Sequence, residues 1–256
     1  MAVSIACVSG KGRGNKPPTC SALARAIAER GKRVLAVDMD PQSHLTLSLG
    51  QDPSRLERTV ADLLVDPVLS LDQVSRATEW PNLSLLPANS DVAAAEQGMP
   101  TTVDRRLALR ETLARGSGLA GYDIVILDAP PTFGFHTLSV LTATDFVLIP
   151  VQMSGSAIKG LKEVLRTVHS ARQGLNPELR VLGVVPILVN MQIHSSREML
   201  EGIREIPDLH IFDAIVQGTV KLPETALAEM PISASASSSD AAAAHRHLAG
   251  EILEHV

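Results

Sequence analysis

Seven short aliphatic runs, separated by longer amphipathic ones, constrain this chain more than any other feature. They are VSIACVS (3–9), RVLAVDMD (33–40), NLSLLPAN (82–89), YDIVILDAPP (122–131), TDFVLIPVQ (144–152), ELRVLGVVPILVN (178–190) and LHIFDAIVQ (209–217). Each has strand length and is rich in Val, Ile and Leu. A strand that is apolar on both faces has to be covered on both, which is the arrangement of a parallel sheet between two helical layers. Helical patterns fill the gaps: PTCSALARAIAERG (18–31), closed by Gly31; a short piece in TVADLLVD (59–66); DVAAAEQ (91–97); TVDRRLALRETLAR (102–115); and stretches around 156–173 and 195–205. The expected fold is therefore α/β, a doubly wound, mostly parallel sheet with helices on both faces. A chain of 256 residues can bury one such core, so a single domain over residues 1–256 is expected. SASASSSDAAAA (233–244) reads as a surface loop leading into a last Ala-rich helix, because HLAGEILEHV resumes an apolar helical period.

Ligands of such sheets collect beyond the carboxyl ends of the strands. Chemistry is expected just after residues 9, 38, 128 and 150. The first of these places carries SGKGRGNKPPTC (9–20). Glycines and lysines ahead of a helix outline a phosphate-binding loop, in which successive backbone N–H groups point at anionic oxygens. Two prolines stand in the same loop, and proline has no N–H to offer.

Four segments together resemble a known family: the loop at 9–19, RVLAVDMDPQSHLTLSLG (33–50), NLSLLPANSDVAAAE (82–96) and YDIVILDAPPTFGFHTLSVLTATDFVLIPVQ (122–152). DMDPQ and LDAPP, each at a strand end and in this order, are its most specific parts. The chain resembles the ParA/Soj family, within the ParA/MinD group of deviant-Walker P-loop ATPases, over nearly its whole length. That resemblance implies ATP and Mg²⁺ at the loop and a homodimer closed face to face over two nucleotides. It further implies non-specific DNA binding and a ParB-like partner that triggers hydrolysis.

The family loop runs Lys-Gly-Gly-x-Gly-Lys-Thr-Thr. Under the resemblance Lys11 is the signature lysine that reaches across the dimer, and Gly12 is retained. Arg13 replaces a glycine, Gly14 fills the variable position and Asn15 replaces the next glycine. Lys16 is the phosphate-binding lysine. Pro17 replaces the Ser/Thr whose hydroxyl binds Mg²⁺, and Pro18 replaces the Thr after it. Asp38 and Asp40 match the acidic pair of the second motif, Asp40 standing where the attacking water is positioned. Asp128 matches the Walker B aspartate that holds the metal's water shell. Lys11 and Asp40 are thus the implied catalytic residues, and Asp38 and Asp128 the implied metal residues.

The departures have physical consequences. Pro17 and Pro18 remove two donors aimed at phosphate oxygens. At about 1.5–3 kcal/mol per charge-assisted bond, their loss weakens binding by about two decades or more. Asn15 tolerates left-handed backbone angles, whereas Arg13 adds bulk where backbone must approach phosphate. Prolines suit the first turn of a helix, so the turn folds well even if it binds nothing. Thr19 is the remaining hydroxyl nearby, a helix cap or a displaced metal ligand. Lys16 with Asp38 and Asp128 is open to two readings: a residual anion site, or an internal ion-pair network.

Surfaces are read the same way. Lys159, Lys162 and Arg166 fall on one helix face, a phosphate-contact stripe or a solvated face. Arg197 and Arg204 lie on a later helix. The resemblance aligns Gln192 with an arginine of the family's DNA-binding stretch. It aligns Gln217 with an arginine near its base pocket. Aromatic residues make up only 2%, so base stacking is not a main binding device. The net charge of −5 leaves room only for a local basic patch. The two cysteines, Cys7 and Cys20, lack metal spacing and read as buried or half-buried free thiols of a reducing cytosol. His136, His194, His245 and His247 read as surface or loop histidines.

The N-terminus reads as a first strand and not a signal peptide. No apolar run approaches a membrane span. The acidic C-terminus is a poor membrane-surface helix, which disfavours a MinD-like membrane cycle. The expected location is cytoplasmic, on the nucleoid if DNA is bound. Two functional readings follow. One is a ParA-like binding or regulatory module whose altered loop weakens or abolishes Mg·ATP binding and hydrolysis, with DNA, a ParB-like protein or another ParA as partner. The other is an active ParA-type ATPase forming an ATP-dependent dimer on DNA.

Overall fold

In the computed structural model the described residues are 2–10, 19–99, 104–115, 118–153, 155, 157–189, 194–214, 216–217 and 240–256. Their strands are β1 (Val3–Cys7), β2 (Val34–Asp38), β3 (Arg76–Ala77), β4 (Leu83–Leu86), β5 (Ile124–Asp128), β6 (Phe146–Gln152), β7 (Arg180–Val189) and β8 (Val216–Gln217). Their helices are α1 (Thr19–Ala28), α2 (His44–Ser48), α3 (Val60–Val65), α4 (Leu71–Val74), α5 (Val92–Gly98), α6 (Ala108–Ala114), α7 (Phe135–Thr142), α8 (Ala157–Gly174), α9 (His194–Arg204) and α10 (Asp240–His255). The strands form one 8-stranded sheet in the order β3-β4-β2-β5-β1-β6-β7-β8. Every pairing is parallel except β3 with β4.

The near-continuous apolar runs are divided between two layers by the period-2 alternation of a strand. Ile5, Val34, Ala36, Ile124 and Ile126 face one layer, with Leu23 and Ile27 of α1 and Leu248 and Ile252 of α10. Ala6, Leu35, Val37, Val125, Leu127 and Val147 face the other, with Val140 of α7 and Leu161, Val164 and Val168 of α8. All of these side chains are buried. The α/β fold expected from the sequence is the fold observed. Gly31 ends the first helical segment as anticipated: its φ is +82°, and its N–H donates to the Ala28 carbonyl at 2.9 Å.

Three expectations need correction. The run 209–217 is not a continuous strand. Ile211 makes a single bridge to Val184, and β8 is two residues long. The amides of Asp213 and Ala214 donate to the Glu251 carboxylate of α10, both at 3.1 Å, and not to a neighbouring strand. The described part of 102–115 is a 3₁₀ turn at Arg105–Leu107 followed by α6. Asp104 caps that turn by accepting from the Arg106 amide, so the chain enters the helix later than its apolar period suggests. Helix α7 was not anticipated. It follows Gly134, in a segment whose Phe, Thr and Val residues suit strand as well as helix.

Candidate functional site

Cys7, Asp128 and Asp38 are register partners at the carboxyl ends of β1, β5 and β2. Because they are aligned across a parallel ladder, their side chains emerge on the same face, the one covered by α1. This is the strand-end location where α/β sheets place their ligands.

Asp38 is 0% exposed. Its Oδ2 accepts from the Thr46 amide at 2.9 Å and the Thr46 hydroxyl at 2.7 Å. Its Oδ1 accepts from the Asp40 amide at 3.0 Å. Burial, then the facing Asp128, pushes the Asp38 carboxyl up to about 7, against the opposing pull of these hydrogen bonds. Asp40 is also buried. Its Oδ1 accepts from the Gln42 amide at 3.0 Å, and its carbonyl accepts from the Ser43 amide at 2.8 Å. Ser43 sits at φ 56° in the left-handed region and caps α2 with no side-chain bond. The carboxylate of Asp38 provides that cap from outside, on the third amide of the helix.

The Cys20 thiol, in the first turn of α1, donates to Asp128 Oδ1 at 3.3 Å. Burial, the neighbouring Cys7 and then Asp128 push this thiol well above its ordinary value. Both cysteines are free and buried, as the sequence led one to expect. Raised, enclosed thiols of this kind are unreactive. Thr19, the first residue of α1, is buried.

The loop residues Lys11, Gly12, Arg13, Gly14, Asn15, Lys16, Pro17 and Pro18 lie outside the described residues, as does Gln192. Gln217 is placed on β8, where its backbone pairs with Val189. Asp38, Asp40 and Asp128 are brought together. Among the described residues no group of three or more His, Cys, Asp or Glu side chains is arranged to hold a metal ion. A hard divalent cation such as Mg²⁺ keeps several of its waters and takes phosphate oxygens as ligands. Asp128, half-buried at the strand end, and Asp40 could accept from such waters, whereas the enclosed Asp38 is engaged in holding the turn.

Lys159, Lys162 and Arg166 are exposed on α8. Lys162 and Arg166 line a shallow open groove with Leu165, His169 and Ser170. Arg33–Asp123, Arg55–Asp52 and Arg106–Asp104 form salt bridges elsewhere in the chain. Arg197 and Arg204 are exposed on α9, but Glu198 and Glu201 lie between them. Helix α8 lies against the residue that follows the β1 strand end, Gly10. A Cβ at Gly10 would fall 2.7–2.8 Å from the backbone of Gly160.

Two histidine readings are corrected. His245 is buried at 6% exposure on α10. His136, on α7, has its imidazole lowered by burial, and its Nδ1 is buried without a hydrogen-bond partner. His245 lies on a helix face turned inward by packing, whereas His136 is half-buried. Thr46 and the Cys20–Asp128 contact were not singled out in the sequence. A threonine in HLTLS and a cysteine in a helix carry no local signal of the carboxylates they meet.

A family model described as an AAA domain (AAA_31) matches residues 2–181. The sporulation initiation inhibitor protein Soj of Bacillus subtilis is 33% identical over 232 residues, covering 91% of this chain and 90% of Soj. The chromosome partitioning protein ParA of Myxococcus xanthus is 32% identical over 221 residues, covering 86% of this chain and 77% of that one. Among solved structures, cobyrinic acid a,c-diamide synthase from Mycobacterium smegmatis with bound ADP and magnesium superposes with a TM-score of 0.85 at 33% identity, covering 100% of this chain and 95% of that one. One fold thus appears under names of different chemistry, and function has to be argued from the site. No described helix is long and apolar enough to cross a membrane.

Proposed function

The chain belongs to the ParA/Soj family of P-loop ATPases, and we propose that it is a ParA-like partition protein whose nucleotide cycle is weakened or lost. It acts in DNA segregation as a binding or regulatory module. The observation that carries this reading is the pair Pro17 and Pro18. They delete two backbone donors and the metal-binding hydroxyl from the loop. The strand-end carboxylates support it. Asp38 is engaged by Thr46 and Asp40, and Asp128 accepts from Cys20, so these carboxylates already have protein partners. The partners in this reading are a ParB-like protein or another ParA. DNA is contacted weakly along α8 through Lys159, Lys162 and Arg166, with Arg197 and Arg204 in a lesser role because of the glutamates beside them.

A second reading, an active ATPase that dimerises on ATP and binds DNA, is favoured by the retained DMDPQ and LDAPP motifs. It is favoured too by the similarity to a structure holding ADP and magnesium. In that case Lys11, Lys16 and Asp40 carry the catalytic roles, and Gly12, Arg13, Gly14, Asn15, Thr19 and Gln217 surround the nucleotide. Calorimetric titration of ATP and ADP, with and without Mg²⁺ and at concentrations that reach millimolar affinities, separates the two. Silence in all four titrations is expected for the weakened cycle. Saturable, Mg²⁺-dependent binding would overturn it in favour of the active ATPase.

A further inference from the structure

One side chain joins two of the segments that carry the family resemblance. Thr46, in α2, is 0% exposed. Its hydroxyl donates to Asp38 Oδ2 at 2.7 Å and accepts from the Ala88 amide at 3.0 Å. Its own amide donates to the same Asp38 oxygen at 2.9 Å. Ala88 belongs to the loop after β4, in LLPAN, and is itself fully buried. Asp38 in turn holds the Asp40 amide through its other oxygen. A single hydroxyl therefore links the end of β2, the first turn of α2 and the loop after β4, and reaches Asp40 through Asp38.

We propose that Thr46 is a positioning residue of the carboxylate site. It sets the DMDPQ turn, and with it Asp40, against the β4 loop. The physical basis is the shortage of local support for that turn. Helix α2 has only five residues and no side-chain cap of its own, so it cannot hold its place unaided. Ser43 is kept in a left-handed conformation that a non-glycine residue adopts only when its surroundings impose it. The Ser43 amide donates to the Asp40 carbonyl, the Asp40 amide is held by Asp38, and Asp38 is held by Thr46, so Ser43 is tied to Thr46 through that chain of bonds. In a dry interior an interrupted relay leaves the Ala88 amide without its acceptor and Asp38 Oδ2 with only the Thr46 amide, so the whole chain of bonds loosens together.

The proposal rests on assigning Asp38 and Asp40 to the site, and it holds whether or not nucleotide binds. Amide hydrogen exchange on the intact protein tests it, comparing the parent with Thr46→Val and Thr46→Ser. Valine keeps the shape and the backbone bond to Asp38 but removes the hydroxyl. The amides of Asp40, Gln42, Ser43 and Ala88 should then exchange about tenfold faster or more, beyond any change in the β1 and β5 amides. Serine restores the hydroxyl and should return all four to near the parent rate. Thr46→Val exchange that is unchanged, or raised equally throughout the sheet, overturns the proposal. So does failure of serine to rescue. Should the valine variant not fold, Asp38→Asn leaves one acceptor oxygen where the carboxylate offers two, so either the Thr46 or the Asp40 bond is lost, and the amides of the DMDPQ turn must loosen. The calorimetric titration of the parent decides the nucleotide reading separately, so either idea can fail alone.

Discussion

The buried Asp38 predicts an unusual dependence of stability on pH. Its carboxyl is pushed up to about 7 in the folded chain by burial and by the facing Asp128, against about 3.9 when unfolded. A raised acid favours the fold in its protonated form. Its contribution is therefore fully present below pH ~4 and is lost as pH rises through about 7. Between pH 5 and pH 8 the unfolded carboxyl is already ionised while the folded one is giving up its proton. Integrating the proton difference over that window gives a loss of about 2–3 kcal/mol. The test is urea unfolding of the parent and of Asp38→Asn at pH 5, 6.5 and 8. Asparagine carries its own penalty for the bonds it cannot accept, but that penalty does not vary with pH, so only the slope is diagnostic. The parent midpoint should fall from pH 5 to pH 8 relative to the variant, at constant m-value. Because Asp38 and Asp128 share one environment, the proton belongs to the pair, and Asp128→Asn should flatten the profile in the same direction. Parallel pH profiles for parent and Asp38→Asn would refute the assignment of a raised, buried carboxyl.

Replacing Pro17 and Pro18 together by threonine should restore two donors and one metal-binding hydroxyl. ATP affinity measured by calorimetry should rise about a hundredfold or more, and no change would place the defect in Arg13 and Asn15 or in the wider pocket. Lys162→Ala and Arg166→Ala should each lower the slope of log affinity against log salt for DNA by about one unit if those side chains meet phosphates. A slope that stays put would remove α8 from the DNA surface. Gly10→Ala drives a Cβ into the backbone of Gly160 at 2.7–2.8 Å and should cost about 1–3 kcal/mol of stability. Gly160→Ala meets only ordinary contact, Gly10 Cα at 3.6 Å, and should gain about 0.5–1 kcal/mol from helix propensity. Thermal melts of the two variants check both signs.

The layers of the molecule were legible because burial leaves a periodic trace. Ile5 and Ala6, or Leu35 and Ala36, are neighbours in the chain and face opposite helical layers. A run apolar at every position is the only pattern that serves both. The strand ends were legible too: a run that stops at Asp38 or Asp128 marks where the strand gives way to a polar turn. The run 209–217 misled because apolar content does not say where backbone donors go, and Glu251, far along the chain, takes two of them. His136 and His245 misled because a lone histidine is read by type, while its exposure is set by which face of α7 or α10 is turned inward.

The sequence by itself determined the α/β class, the positions of most strands and the family, together with the two prolines that set this loop apart. These are properties of spacing and residue type, which act locally. The tertiary structure decided what the carboxylates touch: Thr46 and Asp40 on Asp38, Cys20 on Asp128, and Ala88 on Thr46. Residues 42 apart, like Thr46 and Ala88, or 108 apart, like Cys20 and Asp128, meet only after the sheet has aligned its strand ends. Hydrogen bonds of a few ångströms depend on that alignment and leave no periodic trace in the chain.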